Sequence, residues 1–156
     1  MLEELDIHNY KSIRNVKLKE LPSFAVFVGA NASGKTNFVD ALDFLALTFK
    51  NGLPSAISAK GGYQNIVYRR GKPARGGISF HIKVSLPPII PPKRNEREKF
   101  SFIYDFKIVS KTEAIRSQYL VKSEYIKISQ GATSLLEINR DDDKIDVVNR
   151  RNETLF

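Results

Sequence analysis

The chain has 156 residues, with 25 Lys and Arg against 17 Asp and Glu, so its formal net charge is +8. It contains no cysteine, which excludes a disulfide framework and thiolate metal sites. No apolar stretch approaches the length that spans a bilayer. We therefore expect a soluble, cytoplasmic protein of one domain, or one lobe of a larger domain, whose charge suits polyanionic partners such as nucleotides or nucleic acids.

Three strands are predicted at the N-terminus. The first is predicted at residues 2–10. The second is predicted where Val16 and Leu18 alternate with lysines. Residues 24–28 are apolar at every position, which is typical of a strand buried on both faces. The chain therefore brings a buried strand directly to the motif that follows.

Residues 29–36 fit Gly-x-x-x-x-Gly-Lys-[Ser/Thr], the phosphate-binding loop. Successive backbone N–H groups in such a loop point inward and bind an anion, and the next helix adds the positive end of its dipole. Lys35 would reach the β- and γ-phosphates, and the hydroxyl of Thr36 would ligate Mg²⁺. Gly29 and Gly34 permit a close backbone approach that a Cβ would hinder. The alternative is an ordinary glycine-containing turn between a strand and a helix.

A helix is predicted after the loop, ending near Phe49 because Asn51-Gly52 is a helix stop signal. Its apolar residues recur with the spacing of one helix face: Phe38, Ala41, Leu42, Leu45, Ala46 and Phe49. Strand, glycine loop and helix are the context that a phosphate-binding loop requires. This context favours the phosphate loop over the ordinary turn.

Residues 55–77 predict a basic loop that could meet nucleotide or DNA phosphates or could simply be solvated. From residue 78 apolar and polar residues alternate, which predicts an antiparallel β meander. His81 falls on the polar face, and Asp141-Asp142-Asp143 is typical of a hairpin turn. The meander strands are predicted at residues 78–86, 100–108, 119–128, 135–139 and 145–148.

Three segments resemble the head domains of the RecF/SMC/OLD group of ABC-type ATPases. Residues 7–13 are similar to the group's Asn-aromatic-basic-Ser pattern, residues 29–37 to its phosphate loop, and residues 38–42 to the start of its helix. Within this group, the overall sequence pattern is most similar to that of the single-polypeptide AAA-type ATPases related to the OLD nucleases. Some of these ATPases serve phage defence. One departure is Ala32, which stands where many members have Gly, a position that is not one of the two required glycines.

The resemblance implies a site for ATP and Mg²⁺. It implies that Lys11, with Ser12 beside it, approaches the phosphates. It also implies that Gln64, or alternatively Gln118, helps Thr36 to hold Mg²⁺. Lys35 is the implied catalytic residue. The loop residues implied to bind the nucleotide are Gly29, Asn31, Ala32, Ser33, Gly34, Lys35, Thr36 and Asn37.

The implied fold is α/β: a P-loop NTPase lobe of the ABC-ATPase head type, with a mixed sheet, a large antiparallel part and one main helix after the loop. We expect a single N-terminal ATPase lobe with a core at residues 1–54, the basic loop at 55–77 and the meander at 78–156. The sequence lacks the group's Leu-Ser-Gly-Gly segment, apolar strand ending in Asp-Glu, and switch His. We therefore expect a truncated chain.

The intact proteins of this group sandwich ATP between two heads, so a homodimer is implied, with DNA as a further partner and no membrane. ATP hydrolysis would then need the missing C-terminal half and a second head. The intact protein would act in DNA repair or maintenance or in phage defence. The alternative is a nucleotide-responsive scaffold that binds DNA or protein without turnover. A P-loop kinase or GTPase ranks last, because two strands precede the loop here and a β meander follows it.

Overall fold

The computed structural model describes residues 1–22, 24–30, 33–68, 77–87, 99–111 and 118–149. These residues form one seven-stranded sheet with three helices. The elements are β1 Leu2–Tyr10, β2 Ile13–Lys19, α1 Lys35–Asn51, α2 Leu53–Ala59, α3 Tyr63–Ile66, β3 Ile78–Leu86, β4 Phe100–Ser110, β5 Tyr119–Gln130, β6 Thr133–Asp141 and β7 Lys144–Asn149.

The strands lie in the order β2-β1-β3-β4-β5-β6-β7, and every described pairing is antiparallel. The alternation in the sequence sets the register, since a shift by one residue would turn each apolar side chain to the polar face. Ile7 lies opposite Phe80, and Phe80 opposite Phe106, and all three are buried. The predicted antiparallel meander is confirmed, and the mixed sheet is not present among the described pairings.

α1 packs on the apolar face of β1, β3 and β4, and α2 and α3 add buried side chains to the same core. α1 buries Ala41, Phe44, Leu45 and Thr48, and the ring of Phe44 lies 5.5 Å from that of Tyr10 and 5.6 Å from that of Phe80. Each aromatic or aliphatic side chain buried in this way contributes about 1.5–3 kcal/mol. The main helix after the loop is therefore confirmed, and it ends at Asn51, directly before Gly52 (φ +82°), as the stop signal predicted. No helix in the described part of the chain has the length and apolar character of a bilayer-spanning segment.

The prediction of a loop over residues 55–77 is wrong in its first half. α2 and α3 occupy part of it, and Ile57, Tyr63 and Ile66 join the core. The apolar spacing of a helix is hard to recognise here, because α2 and α3 have only seven and four residues and Gly61-Gly62 separates them. Four basic residues of the predicted loop fall outside the described residues: Arg69, Arg70, Lys72 and Arg75.

The buried strand predicted at residues 24–28 is also wrong. This run has no strand assignment, and Phe24, Val26 and Val28 are 80%, 67% and 88% exposed. A strand needs neighbours for its backbone N–H and C=O groups, and the described strands pair in an order that places none beside this run. Apolar character predicted burial, but burial needs a partner surface as well.

Candidate phosphate-binding site

The loop meets α1 at Gly34, which is the residue before the helix. Gly34 has φ +98°, a left-handed conformation that favours glycine, and its carbonyl oxygen accepts a 2.9 Å hydrogen bond from the N–H of Phe38. A Cβ on Gly29 would lie 2.9 Å from the Ser33 hydroxyl oxygen. Both glycines of the motif therefore occupy positions where a side chain would disturb the loop.

α1 offers a strong anion-binding end. The helix has 17 residues, begins at Lys35 and carries no acidic side chain in its first turn. Its first N–H groups have no partner within the helix, and its dipole concentrates positive charge at this end. Ser33 and Gly34 stand directly before that end. The backbone therefore favours a phosphate at the position that the motif predicts.

The Lys35 side chain folds over the loop. Its ammonium group donates to the carbonyl oxygens of Gly29 and, at 2.7 Å, of Ala30, and it lies 3.3 Å from the hydroxyl oxygen of Ser33. The ammonium thus lies against the backbone at Gly29 and Ala30 and beside the Ser33 side chain. A cation at this point adds to the positive end of α1.

A cleft of about 520 Å³ lies between β2 and the loop, within the ~300–1,000 Å³ range of small-molecule sites. Its lining combines polar and charged residues, such as Ser12, Arg14 and Lys35, with apolar residues that include Phe27 and Phe38. The lining residues are Ser12, Ile13, Arg14, Asn15, Val16, Leu18, Phe27, Val28, Gly29, Ser33, Gly34, Lys35 and Phe38. The cleft therefore combines two cationic side chains with an apolar surface.

The N-terminal pattern reaches the loop through Ser12. The hydroxyl oxygen of Ser12 accepts a 2.5 Å hydrogen bond from the Asn37 side-chain amide, and a Cβ on Gly34 would lie 3.6 Å from that oxygen. The structure thus brings together two segments that the sequence separates by 25 residues. Arg14 also reaches the cleft from β2, although the sequence analysis did not single it out, because one arginine on an edge strand carries no signal of its own.

Other predicted residues lie elsewhere. The Lys11 ammonium pairs with Asp40 at 2.6 Å and is not among the cleft-lining side chains. Thr36 is exposed in the first turn of α1. Gln64 lies on α3, where its side-chain nitrogen donates to the carbonyl oxygen of Gly61 at 3.3 Å. Asn31 and Ala32 lie outside the described residues.

Asp40 is the centre of a polar network that the sequence analysis missed. Its carboxylate accepts hydrogen bonds from the Tyr10 hydroxyl at 2.7 Å, from Lys11 at 2.6 Å and from Lys60 at 2.7 Å. Burial alone would raise the pKa of Asp40, but the hydrogen bonds from Lys11, Lys60 and Tyr10 lower it from 3.8 to about 2. Burial and the bond to Asp40 in turn raise the pKa of Tyr10. Asp40 therefore stays ionised at neutral pH.

The described residues contain no group of three or more His, Asp and Glu side chains arranged to hold a metal ion. His81 lies on the polar face of β3, where its Nδ1 is 2.5 Å from a carboxylate oxygen of Asp105 on β4. The prediction that His81 lies on the polar face is therefore confirmed. Asp142, with φ +51°, occupies the tight turn between β6 and β7, so the predicted hairpin is confirmed too.

Comparison with known proteins decides the family. The profile of the AAA ATPase domain matches residues 1–154. The chain belongs to this ATPase family. The match includes both segments that form the cleft.

Relatives of known name include two DNA replication and repair proteins RecF. The one from Lactobacillus acidophilus is 26% identical over 137 residues, which are 86% of this chain and 34% of that protein. The one from Lactococcus lactis subsp. cremoris (strain MG1363) is 40% identical over 47 residues, 30% of this chain and 13% of that protein. The chromosome partition protein Smc of Methanococcus voltae is 37% identical over 75 residues, 47% of this chain and 6% of that protein.

The chain therefore spans about a third or less of the length of these relatives. No solved structure matches it at a significant level. The recognition of a RecF/SMC-like ATPase lobe is confirmed by the family match and by these relatives.

Proposed function

We propose that this chain is the ATP-binding lobe of a RecF/SMC-type ATPase and that residues 29–37 hold the triphosphate. The observation that carries the proposal is the ammonium of Lys35, which lies over the loop at the head of α1 and beside a cleft of about 520 Å³. A triphosphate in the loop would take the place of the carbonyl oxygens as the partner of Lys35. The backbone N–H groups and the ammonium would then share its negative charge.

The residues also fit a magnesium ion bound together with the nucleotide. Mg²⁺ is usually held by one or two protein groups and by substrate phosphates, with water completing the octahedron. The hydroxyl of Thr36, exposed in the first turn of α1, is the protein group that we assign to it. Gln64 is a second candidate on the resemblance alone. The ion would neutralise charge that develops on the phosphates during transfer.

The lobe would not hydrolyse ATP efficiently by itself. Phosphoryl transfer depends on positioning an attacking water and on neutralising charge from several sides. The sequence supplies the phosphate loop but neither the Leu-Ser-Gly-Gly segment nor an apolar strand that ends in Asp-Glu. We infer that further segments and a second head complete the site and give a dimer that sandwiches ATP. Such a dimer would act in DNA repair or maintenance or in phage defence.

The alternative is a nucleotide-responsive scaffold that binds DNA or protein without turnover. The net charge of +8 and the missing catalytic segments favour it. A salt titration of DNA binding tests the DNA part, because phosphate contacts release counterions and make the affinity fall steeply with salt. An affinity that does not change with salt would exclude phosphate contacts. Measurable ATP turnover by the protein with its partner segments would exclude the scaffold.

The binding proposal is tested by ligand-dependent melting. Mg-ATP at 100 times its Kd should stabilise the protein by about 2.7 kcal/mol. We expect Lys35→Ala to raise the Kd at least tenfold, since hydrogen bonds to charged groups are worth about 1.5–3 kcal/mol. The matched control is Lys50→Ala, which removes the same charge from the exposed last turn of α1. Equal ATP binding by both variants would overturn the loop assignment.

A further inference from the structure

Three elements meet at Asp40. Tyr10 comes from the end of β1, Lys11 from the turn between β1 and β2, and Lys60 from the end of α2, and all three donate to this carboxylate on α1. The side chain of Asp40 is only 22% exposed. Asp43, one turn further along α1, contacts Lys60 at 2.7 Å but is 60% exposed. Asp40 therefore ties the β1–β2 turn and the end of α2 to the helix of the phosphate loop, in addition to the Ser12–Asn37 hydrogen bond.

The turn that Asp40 holds has an unusual backbone. Asn9 and Lys11 have φ values of +57° and +47°, which non-glycine residues rarely adopt. Backbone hydrogen bonds fix both residues: the N–H of Lys11 donates to the carbonyl oxygen of Ile66 at 2.7 Å, and Asn9 accepts from the N–H of Tyr68 at 2.8 Å. Surroundings that over-determine such a conformation commonly serve a functional site.

The residue after Lys11 touches the site. Ser12 contacts Asn37, lies against Gly34 and lines the cleft. One peptide unit therefore separates the Asp40–Lys11 ion pair from a contact with the phosphate loop. A change in the position of Lys11 would be passed on to Ser12, and from Ser12 to the first turn of α1.

Lys11 is not a free cation in this arrangement. The two ammonium groups of Lys11 and Lys60 face the two carboxylates of Asp40 and Asp43, so the cluster is close to neutral. The cationic side chains that line the cleft are Arg14 and Lys35. The resemblance implied that Lys11 approaches the phosphates, whereas the geometry gives it a different partner.

We propose that Asp40 is a positioning residue for the nucleotide site: it clamps Lys11 so that Ser12 lies against the phosphate loop, and Lys11 acts through this clamp rather than by touching the nucleotide. The assignment rests on the proposed ATP site. It gives the charge of Lys11 a place in the loop's architecture and leaves direct contact with the ligand to Ser12, Arg14 and Lys35.

Hydrogen–deuterium exchange tests the clamp without nucleotide. Asp40→Asn in the purified protein should speed exchange about tenfold in two separate segments, residues 11–15 and 33–38, because the ion pair no longer holds the turn. Asp43→Asn is the matched control: it removes a carboxylate from the same helix and from the same Lys60 contact, and both segments should exchange as in the wild type. Unchanged exchange of residues 33–38 in Asp40→Asn would overturn the proposal.

Nucleotide affinity separates positioning from direct contact. Asp40→Asn and Lys11→Met should each raise the Kd for ATP and the Kd for ADP by a similar factor, about three- to tenfold. The double variant should bind no more weakly than either single variant, since the two residues act as a unit. Asp40→Glu keeps the carboxylate and should recover affinity. If Lys11 touched the terminal phosphate instead, Lys11→Met would weaken the binding of ATP but not that of ADP. Asp40→Asn would then leave ATP binding unchanged or make it tighter. Either result would overturn the clamp.

The two proposals fail in different ways. If the wild-type protein bound neither nucleotide, the proposed function would fall, and the exchange experiment would still decide whether Asp40 holds Ser12 against the loop. If nucleotide binding required Lys35, but Asp40→Asn changed neither hydrogen–deuterium exchange nor nucleotide affinity, the ATP site would be supported and the clamp would be excluded.

Discussion

β3 and the run at residues 24–28 are both rich in large apolar side chains, yet they end in opposite environments. In β3, Ile78, Phe80 and Ile82 are at most 2% exposed, whereas Phe24 and Val28 are 80% and 88% exposed. β3 has β1 on one side, β4 on the other and α1 over its apolar face. The run has no strand beside it among the described residues. Apolar sequence therefore leads to burial only where neighbours satisfy the backbone and cover the side chains.

The patterns themselves differ in what they require. β3 alternates, so one covered face is enough, and the helices provide it. The run is apolar at every position, so it needs cover on both faces and a partner at each edge. It leads directly into Gly29, and the phosphate loop therefore starts from a stretch that is exposed at every position. Three measurements test this contrast.

The largest effect is expected in the buried region. Phe80→Ala should lower the free energy of unfolding by about 3–5 kcal/mol, because the ring stacks on Phe106 at 5.2 Å and also contacts Tyr10 and Phe44. Urea denaturation, followed by the circular dichroism of the sheet, measures the change. A loss below about 1 kcal/mol would show that β3 is not the centre of the core.

An intermediate effect is expected at the junction between the sheet and α1. The pKa of Asp40 falls from 3.8 to about 2 on folding, so its contribution to stability is present above pH 3.8 and is lost as the pH falls towards 2. After allowance for solvent screening we expect about 1 kcal/mol. Urea midpoints of the wild type should therefore decline more steeply between pH 4 and pH 2 than those of Asp40→Asn.

The other carboxylates provide the internal control for this experiment. The pKa values of Glu3 and Glu4 are also lowered, by Ser85 and by neighbouring lysines, in spite of burial. Both remain in the variant, so their effect cancels in the difference between the two proteins. Parallel pH curves for the wild type and Asp40→Asn would mean that the ion pairs of Asp40 do not stabilise the fold.

The smallest effect is expected in the exposed run. Phe24→Ala removes the same side chain as Phe80→Ala but from a position that is 80% exposed, so the free energy of unfolding should change by no more than about 0.5 kcal/mol. The same urea titration measures it. A loss comparable with that of Phe80→Ala would show that Phe24 is buried in solution, and the contrast between the two regions would disappear.

Much of the site was predictable because its signals are local. The motif at residues 29–36 predicted the phosphate loop, and the helical spacing after it predicted α1. Both signals depend on residues that are neighbours in the chain. The resemblance assigned both Ser12 and Asn37 to the nucleotide site, but the contact between them was not predicted. Asp40 and Arg14 were missed because their roles depend on partners that are 20 or more residues away, such as Lys60, or across a cleft.

The sequence by itself determined the alternation of the meander, the glycines and lysine of the loop, and the ATPase family, because side-chain period and backbone freedom are properties of short segments. The tertiary structure alone decided which apolar segments are buried, that Lys11 belongs to Asp40, and that Ser12 faces the loop. Burial and charge pairing are set by what lies alongside in space. That is why a continuous apolar run was taken for a core strand and lies exposed beside the cleft.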